Sequence, residues 1–157
     1  KIRRLKVSPP PFDFLDFELS NAPALVRRVR ERSREQKARL ILSYHNFGYT
    51  PGTECLVQRF LEAERLGADV AKVAVMPRDR ADVLALLAAT AQADAKSRIP
   101  LISMSMGPLG AVTRMVGGVF GSSLSFAIGE GASAPGQMPI ADLVSVFGAL
   151  ARARGES

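Results

Sequence analysis

The stretch DVAKVAVM, residues 69–76, decides how this chain is read. Lys72 apart, residues 70–76 are all apolar, so both alternating faces of a strand here are greasy; that is the pattern of a parallel sheet covered by helices. LILSY, residues 40–44, repeats it upstream. Working outward, β-like runs occupy 12–19, 39–44, 69–76, 99–104 and 124–128. They recur roughly every 25 to 30 residues, with amphipathic patterns between them, which is a βαβα rhythm.

The intervening patterns predict a basic helix over 22–36 and a second over 53–66, with Thr53 as N-cap and Gly67 as its stop. A third spans 79–95 with Asp79 at its cap, and a short one fits 109–116. The last starts at Pro139 and is expected to bury Ile140, Leu143, Val144, Phe147 and Leu150 on one stripe. The class is α/β, with about five parallel units over residues 12–157 behind a basic, proline-rich arm at 1–11. Five units are too few to close an eight-stranded barrel, which takes roughly 200 residues or more. Because the first residue is Lys and not Met, an upstream portion is expected.

With 157 residues, 47% of them hydrophobic and 23% charged, the chain has material for one core. No apolar stretch is long enough for a membrane span or a signal peptide, so no membrane partner is expected. One cysteine, Cys55, excludes an internal disulfide framework, no Cys/His cluster offers a metal site, and a reducing cytoplasm is the expected setting. The net charge of +6 is concentrated at 1–6 and 27–39. In the second region Glu31 and Glu35 are interleaved and aromatic residues are absent, so it reads as a solvated helix face and not as a nucleic-acid surface.

In parallel α/β folds the reactive groups gather at the C-terminal ends of strands and in the loops that follow. His45, the only histidine, ends the second run in SYHNF; Lys72 lies inside the third; Arg114 follows the fourth; SAPGQ, residues 133–137, follows the fifth. Burial among Val70, Ala71, Val73 and Ala74 disfavours an ammonium at Lys72, and a neutral amine condenses with a carbonyl. The bland alternative is a lysine at a sheet margin that reaches water. His45 is a candidate general base, or else a satisfied core histidine; Asp16 is placed to hold its other ring nitrogen, or faces solvent. Arg114 offers a planar fork for a carboxylate, against the alternative of a helix-surface arginine. Met104 and Met106 suit an apolar wall or simple packing, and Ser133 and Gln137 supply a hydroxyl and an amide. The glycines at 117, 118 and 121 match no phosphate-binding fingerprint.

The ordered set FDFLDFEL, SYHNF with the following TP, LGADVAKVAVMP, ISMSMG, the arginine before GGVFGS, and SAPGQ resembles the type I 3-dehydroquinate dehydratases, with matching spacing between His45 and Lys72 and between Arg114 and Gln137. The resemblance covers nearly everything after the arm. It implies a (β/α)8 TIM-barrel family, here as an incomplete barrel, and a lyase without metal or organic cofactor that converts 3-dehydroquinate to 3-dehydroshikimate in the shikimate pathway. It implies an imine at Lys72, His45 as acid and base, Arg114 on the ring carboxylate, Ser133 and Gln137 closing over the substrate, Met106 packing beside it, and Asp16 near the histidine. Family members often pair, so a homodimer is a further expectation.

Departures from the pattern are specific. The first three β/α units of the family are not present, and the glutamate that pairs with the histidine goes with them; Glu18 is not assigned to that role. Two other readings compete: a binding or regulatory domain that keeps the pocket without turnover, and a different Schiff-base lyase such as a class I aldolase, which leaves the histidine and SAPGQ unexplained.

Overall fold

The computed structural model describes residues 13–128 and 136–155; the expected arm at 1–11 and Ser133 lie outside the described residues. Four parallel strands stand side by side in chain order: β1 (Phe14–Glu18), β2 (Arg39–Asn46), β3 (Val70–Val75) and β4 (Leu101–Ser105). They are joined by α1 (Pro23–Glu35), α2 (Thr53–Arg65) and α3 (Arg80–Asp94). Beyond β4 come α4 (Gly107–Val116), a 3-10 turn (Gly117–Phe120), the short pair β5 (Ala127–Ile128) and β6 (Met138–Pro139), and α5 (Ile140–Ala153).

Alternation along the strands sorts the two faces. Leu40, Leu42, Ala71, Val73, Val75 and Leu101 pack against Val26 of α1, Leu56, Val57 and Phe60 of α2, and Leu86 and Ala89 of α3. This layer is the main core, in which each fully buried Leu or Val contributes roughly 1.5–3 kcal/mol. The opposite face carries a smaller cluster of Val70, Ala74, Ile102, Met104 and Met106. The helices are anchored locally. Asp79 caps α3 as expected, accepting a hydrogen bond from the Asp82 N–H at 2.9 Å, and Gly67, at φ +85°, takes the left-handed turn that ends α2. Arg30 departs from the solvated pattern of α1: its guanidinium grips both oxygens of Asp69 at 2.5 and 3.1 Å. Asp69 also accepts from the Leu40 N–H at 2.7 Å, so one carboxylate ties α1, β2 and the approach to β3 together.

Three expectations are corrected. The fifth run does not join the sheet as a full strand; only Ala127–Ile128 is extended, and it pairs with Met138–Pro139. The outer edge of β4 explains this. Its Ser103 N–H is taken by the Ser122 hydroxyl at 3.0 Å and its Ser105 N–H by the Thr113 hydroxyl at 2.9 Å, leaving a single bridge, Leu101 to Ser122. Side-chain oxygens have replaced the ladder. Second, Thr53 is the first helical residue and not the cap; Gly52 holds that position without a side-chain bond. Third, the α5 stripe is not buried as a whole: Leu143 is 3% exposed but Ile140 and Val144 are each 62% exposed. Among the described residues α5 packs mainly against α4 and the β5–β6 pair, too little surface to cover a stripe that wide. With Pro139 at the cap, the helix itself begins one residue later than expected.

The parallel α/β architecture stands, and the barrel is not closed among the described residues, since no described strand pairs with the outer edge of β1.

Candidate active site

The strand face turned away from the helices carries the polar residues. Glu18, Ser43, Lys72 and Ile102 stand in register across the four strands, and one same-face step onward come His45, Ala74 and Met104. Both carboxylates of β1 reach forward by one such step. Asp16, level with Ile41, accepts a hydrogen bond from the Ser43 hydroxyl at 2.5 Å and an ion pair from Lys72 Nζ at 2.7 Å. Glu18, level with Ser43, meets His45 Nδ1 at 2.7 Å. The assignment of Asp16 to the imidazole is therefore corrected: Asp16 serves the lysine and Glu18 serves the histidine. Asp16 falls one step short of His45.

A carboxylate only accepts, so the Glu18 contact places the neutral imidazole's proton on Nδ1 and leaves Nε2 as the acceptor. Phe47 stacks on the ring with centroids 5.9 Å apart and planes within 6°. Lys72 is 11% exposed at its side chain, but its surroundings are not purely apolar. Besides the Asp16 carboxylate, the face of Phe126 lies 5.2 Å from Nζ, an arrangement that holds a cation. The reading of Lys72 as an amine in greasy surroundings alone is corrected accordingly.

Arg114 lies in the last turn of α4 and is 2% exposed, which overturns the helix-surface alternative. Its Nη1 donates toward Met104 Sδ at 3.6 Å and the Phe126 carbonyl oxygen at 3.5 Å. Burial lowers the guanidinium's pKa from its ordinary value, because desolvation penalises the charge. Such a charge is poised to gain from an anionic ligand that enters beside it.

One pocket of about 280 Å³ gathers these groups: His45, Phe47, Lys72, Ala74, Met104, Met106, Arg114, Phe126 and Gln137 line it. Six residues singled out in the sequence, Lys72, His45, Arg114, Met104, Met106 and Gln137, thus share one cavity, while Ser133 is outside the described residues. Sequence reasoning missed Glu18, Ser43 and Phe126 as parts of the site. Ser43 was accessible to it, standing two residues before His45 and so on the same strand face. Among the described residues no group of three His, Cys, Asp or Glu is placed to hold a metal ion.

Compared with known proteins, residues 4–153 match the family described as Type I 3-dehydroquinase. The chain belongs to the type I 3-dehydroquinase family. Over 144 residues it is 56% identical to the 3-dehydroquinate dehydratase of Albidiferax ferrireducens, covering 92% of this chain and 54% of that protein. Over 138 residues it is 53% identical to that of Geobacillus thermodenitrificans, covering 88% and 53%. Among solved structures, the Geobacillus kaustophilus 3-dehydroquinate dehydratase superposes with a TM-score of 0.87 at 46% identity, over 90% of this chain and 55% of that one. A type I enzyme from Clostridium difficile, with covalent modified comenic acid, superposes at 0.85 with 37% identity. The chain spans about half the length of the family members it matches.

Proposed function

We propose that this chain carries out the dehydration of 3-dehydroquinate to 3-dehydroshikimate through a Schiff base at Lys72. The observation that carries the reading is the shared cavity: an amine, an imidazole and a buried guanidinium converge on a space of about 280 Å³, and the relatives are named for this reaction.

In the proposed sequence, Asp16 takes a proton from the Lys72 ammonium, and Nζ adds to the ring ketone to form a C–N bond. The ketone oxygen, taking one proton from the nitrogen and the proton held by Asp16, leaves as water, giving an iminium. His45 Nε2 then removes a proton from the adjacent carbon, and the electron pair released is delocalised into the iminium as an enamine. Collapse of the enamine expels the ring hydroxyl, which takes the proton back from His45 and departs as the water of dehydration. Hydrolysis of the new iminium consumes one water and returns the amine, so the net change is loss of one water. Arg114 holds the ring carboxylate, Ser133 and Gln137 contribute a hydroxyl and an amide, and Met106 packs beside the ring. Glu18 keeps the imidazole in its productive tautomer.

The covalent modified comenic acid of the Clostridium difficile relative supports a site able to take a covalently held organic acid. The same reading gives the chain a small-molecule partner, a cytoplasmic setting and a place in aromatic biosynthesis. The outer edge of β1, paired with no described strand, supports association with a second copy. Borohydride added to a mixture with 3-dehydroquinate tests the reaction: a reduced adduct on Lys72 by mass spectrometry, with product seen by its ultraviolet absorbance, is the expected outcome. Adduct without product makes the chain a ligand-binding domain, and neither signal from folded protein removes the Schiff-base reading.

A further inference from the structure

Phe126 immediately precedes β5, and it touches both cationic groups of the cavity. Its ring face looks at Lys72 Nζ from 5.2 Å, while its carbonyl oxygen accepts from Arg114 Nη1 at 3.5 Å. The ring also packs against the cluster that contains Met104 and Met106. We infer that Phe126 is a catalytic residue for the reaction proposed above, whose ring face stabilises the positive nitrogen of the iminium formed on Lys72.

An ammonium has three N–H donors, and one of them is spent on Asp16. Imine formation replaces two of those N–H bonds with bonds to the substrate carbon, releasing one water as the C–N bond forms. A single N–H remains, its direction now dictated by the plane of the C=N group. Contact with a carboxylate is directional and depends on that plane. Attraction to a ring's quadrupole is not: it needs only positive charge over the face, within about 6 Å of the centroid. Phe126 thus keeps its hold on the cation when the hydrogen-bond count collapses. The carbonyl of the same residue links this ring to the group proposed to orient the substrate.

The inference rests on the Schiff-base reading, and the test separates the two. Phe126 would be replaced in the full chain by phenylalanines bearing one, two and three fluorines, which drain the ring's negative face with little change of size, and by leucine. Each protein would be mixed with 3-dehydroquinate and borohydride, the rate of adduct formation on Lys72 read by mass spectrometry, and folding checked by circular dichroism. A stepwise fall with each fluorine is expected, ending about threefold to thirtyfold below the parent, the span of an attraction of this kind. A flat fluorine series with a parent that forms the adduct overturns the role of Phe126 and leaves the Schiff base standing. A folded parent that forms no adduct overturns the Schiff base, and this inference with it. Loss in Phe126→Leu alone, with the fluorinated proteins unchanged, assigns the ring to packing and likewise overturns the proposal.

Discussion

Glu18 Oε2 stands 2.7 Å from His45 Nδ1, two strand positions beyond the Asp16 carboxylate that holds Lys72. One short strand thus serves the proposed base and the proposed nucleophile with separate carboxylates, and the two pairs are predicted to respond differently to substitution. Glu18→Gln keeps the length of the side chain but lets its amide donate to Nδ1, which favours the wrong tautomer. We expect kcat for dehydration to fall about tenfold to a hundredfold, part of what a general base supplies, with KM nearly unchanged. Nitrogen NMR of the imidazole would show the proton moved from Nδ1 to Nε2. An unchanged tautomer and kcat would remove Glu18 from the mechanism.

Arg114 is buried, and desolvation opposes its charge. Arg114→Met keeps much of the volume and removes the charge. Affinity for a carboxylate-bearing substrate should fall about tenfold or more, while circular dichroism shows the protein still folded. A protein that loses both stability and binding would mean that the guanidinium is structural.

The Asp69 clamp makes stability depend on acid. Burial by itself pushes the Asp69 carboxyl up, but the Arg30 hydrogen bonds, the Leu40 N–H and neighbouring positive charge outweigh it, and the net shift is downward. A carboxyl lowered on folding contributes its stability fully above the unfolded value, about 3.9, and loses it as pH falls through the lower folded value. Urea denaturation should place Asp69→Asn about 1 kcal/mol below the parent at pH 7, a modest figure because the pair is partly open to solvent. The gap should close as pH falls through the lowered folded value of the Asp69 carboxyl. A gap that persists there would assign the loss to packing.

Close packing at the end of β4 gives a steric prediction. A Cβ on Gly110 would lie 2.4 Å from the backbone carbonyl of Ser105, whereas one on Gly118 meets nothing within 4 Å. Gly110→Ala should lower the stability by about 3 kcal/mol and Gly118→Ala by less than about 0.5 kcal/mol, read from thermal melts. Equal melts for the two would mean that α4 shifts freely on the strand.

Much of this was legible beforehand. Alternation in LILSYHN puts Ser43 and His45 on one face and Leu40, Leu42 and Tyr44 on the other, and a lysine inside VAKVAV announces itself by its chemistry. The edge of β4 was not legible. Ser122 and Thr113 are ordinary loop and helix residues in the sequence, and only their placement beside Ser103 and Ser105 ends the sheet there. Arg114 was equally ambiguous, since a basic residue in the last turn of a helix is ordinarily a solvated one.

By itself the sequence determined the order of strands and helices, the face on which each strand residue lies, and the residues able to do chemistry, because periodicity and side-chain type are local properties. Tertiary structure decided which acid serves which base. Asp16 and Glu18 differ by one step along β1, and which of them reaches His45 depends on the stagger between β1 and β2, set by hydrogen bonds between segments separated by a whole helix.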